Sequence, residues 1–173
     1  MEVDNSNKKV FDNLGCTQNM DTTKSVENIV RGIVKEKTAD ITGVINRIRA
    51  FLKDETTELT DLEIDDILLQ LPILLYSSME EQEIVGMQLD MASQIQKEAY
   101  QQAYKLAHGT IKDKDAEADI ATRAQQLEKI IYDRSYKIIK QRFEMAVETL
   151  NAVKKVQASR QQRYDMGKYN NRF

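Results

Sequence analysis

Nucleophilic and metal chemistry needs particular residue types held together, and this chain is short of them. His108 is its one histidine and Cys16 its one cysteine in 173 residues, far apart in sequence. Zinc sites of the usual kind therefore lack ligands, and no intrachain disulfide can form. His108 falls where a helix is expected to end, a place that favours a cation, so capping or solvation is its expected role. Cys16 reads as incidental. No Gly-rich phosphate loop and no Gly-x-Gly-x-x-Gly is present. Asp54, Glu55, Glu58, Asp61, Glu63, Asp65 and Asp66 cluster without a basic residue among them. A hard-cation loop, however, needs a turn-forming Gly and oxygen ligands at set intervals, whereas Thr60-x-x-Glu63 has the form of a capping box. The expectation is no catalytic residue, no metal, no cofactor, and a protein that is not an enzyme.

The basic residues offer the other possible chemistry. Residues 1–128 carry 14 Lys/Arg and 24 Asp/Glu, and residues 129–173 carry 11 and 4. The basic end suits an anionic partner, or it pairs with the acidic portion within or between subunits. At 100° per residue Lys129, Lys137, Lys140, Lys154 and Lys155 lie opposite an apolar arc of Leu127, Ile131, Ile138, Met145, Ala146, Leu150, Val153 and Val156. A lysine stripe can track phosphates. A solvated face with Asp133–Lys137 and Lys140–Glu144 pairs explains residues 129–148 equally simply, and is preferred there. Beyond Val153, Lys154, Lys155, Arg160, Arg163, Lys168 and Arg172 face only Asp165, with Tyr164, Tyr169 and Phe173 interleaved. Cations with aromatic platforms hold single strands without sequence preference. Docking on an acidic patch such as 54–66 of a neighbouring subunit, and a solvated frayed end, are the competing readings.

The elements that must position these residues are helical. One Pro, six Gly and no Trp leave few breakers and an aliphatic core. The fold class expected is all-α, long amphipathic helices forming an antiparallel helical hairpin or coiled coil with additional N-terminal helices. Residues 1–24 read as a flexible polar arm, in which Val10, Phe11 and Leu14 could dock locally. Residues 25–76 form acidic N-terminal helices. The first is expected from Ser25, a plausible N-cap, to Lys53, with a heptad seam of Val30, Val34, Lys37, Ile41, Val44, Ile48 and Phe51 broken only by Lys37. Pro72 predicts a kink or a new start, with Ser78-x-x-Glu81 as a competing start. Residues 77–166 form the long hairpin with its turn at 108–112. Leu74, Ser78, Glu81, Val85, Leu89, Ala92, Ile95, Ala99, Ala103 and Leu106 trace the inner stripe of its first arm, Glu81 being the outlier. Gly109 can adopt a left-handed conformation and Thr110-x-x-Asp113 can cap the next helix. That helix, 113–164, has no Gly or Pro and would be roughly 75 Å long, so part of it is expected to meet another copy of the chain. Residues 167–173 are a basic flexible tail. No apolar run approaches the ~18–20 residues that span a membrane, and the acidic, polar start is unlike a signal peptide. Cytoplasm is the expected location, the host's if the protein is viral.

Two stretches carry a resemblance. One is Glu98-Ala99-Tyr100-Gln101-Gln102-Ala103-Tyr104-Lys105-Leu106-Ala107-His108-Gly109-Thr110 and the acidic, Ala-rich segment after it. The other is Lys137-x-x-Lys140-x-x-Phe143-x-x-Ala146-x-x-x-Leu150-x-x-x-Lys154-x-x-Gln157-x-x-Arg160. Over residues 80–165 the chain resembles small bacteriophage helical-hairpin proteins and, more distantly, UvsY-like recombination mediators. The resemblance implies a homo-oligomer that binds single-stranded DNA and helps load a recombinase. Its nucleic-acid contacts would come from Lys137, Lys140, Lys154, Lys155, Arg160, Arg163, Tyr164, Lys168 and Tyr169. A structural, scaffolding or adaptor helical protein of a virion, whose seam and basic tail bind protein, is the alternative.

Overall fold

The computed structural model describes residues 19–53 and 59–170, with side chains for 22–50 and 59–167. The expectations placed on Val10, Phe11, Leu14, Cys16, Asp54, Glu55, Glu58, Arg172 and Phe173, and on the side chains of Phe51, Leu52, Lys168 and Tyr169, lie outside these residues. Five helices and no strand occur among the described residues: α1 (Asn19–Lys37), α2 (Ala39–Lys53), α3 (Asp61–Leu106), α4 (Ile111–Ala121) and α5 (Arg123–Asn170). The fold is all-α, as the scarcity of breakers requires.

The chain divides into two compact units. The hairpin unit lies within Met1–Lys35 and Gln82–Ile138, and the three-helix unit within Glu36–Glu81 and Ile139–Phe173. In the hairpin unit α3 and α5 run antiparallel. Gln82 donates to the Tyr136 hydroxyl at 3.4 Å near one end, and the Tyr100 hydroxyl donates to Asp115 at 2.9 Å near the other. The buried residues there are mostly small or β-branched: Val30, Val34, Val85, Ala92, Ala118, Ile131 and Ser135. Gly86 lies where a Cβ would stand 3.4 Å from the Tyr136 ring. Small residues on facing helices let the backbones approach closely.

In the three-helix unit α2 and the second half of α5 each run antiparallel to the first half of α3. Arg47 on α2 reaches Gln70 at 2.8 Å while Lys37, the last residue of α1, reaches Glu81 at 2.8 Å. On the other side Gln157 meets Asp65 at 2.7 Å and Arg160 meets Asp61 at 3.1 Å. The core is of larger side chains, aliphatic apart from Phe143: Ile41, Val44, Ile48, Ile64, Ile67, Leu71, Ile139, Phe143, Leu150 and Val153 are buried.

Helix boundaries correct several expectations. The helix expected over 25–53 is two helices with a break at Thr38, and it begins at Asn19, so Ser25 is inside a helix rather than its N-cap. The rod expected over 113–164 is likewise two helices, broken at Thr122. Both threonines are buried. The Thr122 hydroxyl donates to the Ala118 carbonyl at 2.8 Å, a backbone-competing bond of the kind that bends helices. Thr38 accepts from the Arg142 guanidinium at 2.7 Å, a partner more than a hundred residues away. Conversely, α3 runs unbroken through Pro72 and past Ser78. An interior proline costs about 3 kcal/mol. Here its ring is exposed while Leu71 beside it and Ser78 beyond it are buried, so tertiary packing on both sides holds the helix together.

Two capping boxes form as their spacing predicts. At α3 the Thr60 amide donates to Glu63 at 2.7 Å and the Glu63 amide to the Thr60 hydroxyl at 3.3 Å. At α4 the Thr110 amide donates to Asp113 at 3.0 Å and the Asp113 amide to the Thr110 hydroxyl at 3.4 Å. Gly109 has φ 106°, and a Cβ on it would lie 3.0 Å from the Asp113 carboxylate. Glycine is thus required twice over, for the conformation and for room beside the cap.

Candidate functional site

α5 bears the candidate residues. Its inner face differs from the arc read in the sequence: Ile139 and Phe143 are buried, whereas Ile138, Met145 and Val156 are exposed. Ile131, Ala146, Leu150 and Val153 are buried as expected and Leu127 is half-buried. Lys129, placed on the outer arc by the sequence, is half-buried.

The basic side chains fall into two kinds. The first kind crosses to another helix of its own unit. Arg160 donates to the Leu59 carbonyl and to Asp61 at 3.1 Å. Arg142 donates to Thr38 at 2.7 Å and Thr42 at 3.5 Å. Arg47 lies 3.7 Å from Asp66. Lys37 bonds Glu81, and that bond, against the opposing effect of burial, holds its pKa above the ordinary lysine value. The polar break in the heptad seam and the outlier of the α3 stripe are therefore partners. Lys37 and Glu81 were each out of place on their own helix, and each is in place against the other.

The second kind points outward. Lys137, in the hairpin unit, pairs with Asp133 one turn away at 2.7 Å. Lys140, Lys154, Lys155 and Arg163, in the three-helix unit, are exposed and make no ion pair among the described residues; the Lys140–Glu144 pair allowed by spacing does not form. On a 100° helical projection Lys140, Lys154 and Lys155 share an arc of about 100° facing away from Val153. Arg163 lies on the other flank. Lys168 and Tyr169 occupy the last turn of α5.

Tyr164 is 65 % exposed. It lines a shallow open groove with Asp61, Asp65, Gln157, Arg160 and Gln161. Here the acidic start of α3 and the basic end of α5 meet within one chain. Asp61 and Asp65 are one turn apart, as are Gln157 and Arg160, so two antiparallel helices bring them together in pairs. That reciprocal spacing was the available signal, and the sequence reading of Arg160 as a phosphate contact did not use it. Arg142 carries no such signal, since nothing local marks a cation whose partner, Thr38, lies more than a hundred residues away.

In the hairpin unit Tyr100 and Tyr104 stack with centroids 6.3 Å apart, and the Lys114 ammonium lies 6.0 Å from the Tyr104 ring. The bond to Asp115 holds the Tyr100 hydroxyl above its ordinary pKa. These contacts tie α3 to α4 beside the turn. His108 is exposed in the connection after α3.

Among the described residues no cluster of His, Cys, Asp and Glu could hold a metal ion, and no helix is long and apolar enough to cross a membrane. No family model matches the chain, and neither the curated proteins nor the solved structures contain a match to it.

Proposed function

We propose that the chain is a non-enzymatic, UvsY-like accessory protein that binds single-stranded DNA as a homo-oligomer. The observation that carries this reading is the set Lys154, Lys155 and Arg163, exposed near the helix end without ion pairs among the described residues. Phosphate contacts from Lys140, Lys154, Lys155 and Arg163 would hold the strand, and Tyr164 with Tyr169 would supply stacking platforms. A few such contacts per chain are weak, and assembly of several chains multiplies them. Arg160 serves this site by anchoring the end of α5 to Asp61 and Leu59 rather than by meeting phosphate itself. Loading of a recombinase is part of the same proposal.

The second reading, a scaffolding or adaptor protein, draws on the groove, where basic and acidic helix ends already recognise each other, and on the uncovered apolar residues of α3. The two readings separate by salt dependence. Binding of a labelled single-stranded oligonucleotide should weaken steeply with salt. The triple substitution Lys154→Ala, Lys155→Ala, Arg163→Ala should flatten that slope by about three phosphate contacts' worth with no change in far-ultraviolet circular dichroism. Undiminished binding by the triple variant, or none by the parent at low salt, would sink the strand-binding reading.

A further inference from the structure

One face of α3 in the three-helix unit is apolar and is left open by the described residues. Leu62, Leu69, Ile73 and Tyr76 are 82, 70, 69 and 82 % exposed, while Ile64, Ile67 and Leu71 on the opposite side are buried. The four exposed side chains fall within about 60° of arc on a helix of 100° per residue. Their spacings of seven, four and three are those of a heptad seam. Scattered exposed leucines need no explanation, but a contiguous row of large apolar side chains marks an interaction surface.

The charges around the row describe its occupant. Asp66 and Glu80 stand at seam positions between and after the apolar ones, and no Lys or Arg occurs anywhere from 54 to 96. The nearby cations come from other helices: Arg47 lies 3.7 Å from Asp66 and Arg160 lies 3.1 Å from Asp61. Asp65 accepts from Gln157, and Glu80 is exposed without an ion pair among the described residues. A second copy of this row would set carboxylate-bearing helices against each other, a like-charge arrangement that disfavours pairing. Within the three-helix unit the row is about two heptads long, and Glu80 follows it.

We propose that Leu62, Leu69, Ile73 and Tyr76 form a docking seam for a cationic amphipathic helix of a partner protein, one with an apolar stripe flanked by Lys or Arg. Leu69 and Ile73 are the central anchors, and the carboxylates set register and speed encounter. The seam shares no residue with the strand-binding surface, so either can fail alone.

The test uses the full chain and three labelled peptides of about three heptads. The first has Leu and Ile at the a and d positions and Lys at e and g. The second has Glu at e and g, and the third is a scramble of the first. Fluorescence anisotropy should show binding of the first peptide only, weakened by salt, and weakened at least ~10-fold by Leu69→Ser with Ile73→Ser. Should the double substitution disturb the fold by circular dichroism, Glu80→Lys serves instead, and should weaken the lysine peptide and strengthen the glutamate one. Equal binding of the scramble would reduce the effect to charge alone and overturn the proposal. So would undiminished binding by the variants, or a self-association that Leu69→Ser with Ile73→Ser abolishes and that excludes the peptide.

Discussion

The two units bury different kinds of contact. The hairpin unit is close-packed, with Ala92, Ala118 and Ser135 buried. The three-helix unit is built on large aliphatic side chains, and four cations cross between its elements: Lys37 to Glu81, Arg47 to Asp66, Arg142 to Thr38 and Arg160 to Asp61. A positive residue in the second unit therefore cannot be assigned to a ligand from its sign alone. It must first be asked which helix it already serves.

The largest effects should come from the cores. Leu71→Ala in the three-helix unit and Ile131→Ala in the hairpin unit both empty fully buried positions, and each should cost about 2–5 kcal/mol by urea unfolding. Amide exchange will show whether each loss stays within its own unit; a uniform loss of protection across both would dissolve the comparison.

Smaller losses, about 1 kcal/mol, are expected for Thr60→Ala and Thr110→Ala, which remove helix caps. The capping bonds from Thr60 and Thr110 hold the Glu63 and Asp113 carboxyls below the ordinary range. A lowered folded-state pKa stabilises above the unfolded value and ceases to do so as pH falls through the folded one. The gap between parent and variant should therefore narrow in acid, and a gap unchanged down to low pH would show that the carboxylates contribute nothing to the caps.

Lys37→Met should also cost about 1 kcal/mol near neutrality, the upper end for a partly exposed pair. Because Lys37 is raised, its contribution is complete below the ordinary lysine pKa and disappears as pH climbs through the raised value. Alkaline unfolding curves of parent and variant should converge, and parallel curves would refute the pairing.

The comparison between crossing and outward cations is tested by Arg160→Gln against Lys154→Gln. The first should lower stability by about 0.5–1 kcal/mol, the second by no more than about 0.5 kcal/mol, as read by thermal melts. The reverse order would exchange their roles. The smallest effect is Gly86→Ala, expected to be neutral or to stabilise by a few tenths of a kcal/mol through helix propensity, since the new methyl meets the Tyr136 ring at ordinary contact distance. A marked loss would show that the hairpin unit tolerates no added volume there.

Much of the helical framework was legible. Val30, Val34, Ile41, Val44 and Ile48 are buried on the seam their spacing marks out, and both threonine capping boxes form. The misreadings have local causes. Apolar neighbours such as Ile138 with Ile139 and Met145 with Ala146 offer two inner faces for α5, and only packing selects between them. Ile95 and Leu106, counted in the inner stripe of α3, are exposed: Ile95 stands at the edge of that stripe and Leu106 is the last residue of the helix.

The sequence by itself determined that this protein is helical, where two of its caps lie, and that its charge is split between an acidic portion and a basic end. Propensity, capping and composition act over a few residues and can be read from them. Tertiary structure alone decided that α3 passes through Pro72, that Thr38 and Thr122 interrupt helices, and that Lys37 and Arg160 belong to Glu81 and Asp61. Those outcomes depend on groups tens of residues apart, whose desolvation and pairing outweigh local preference only once the helices are side by side.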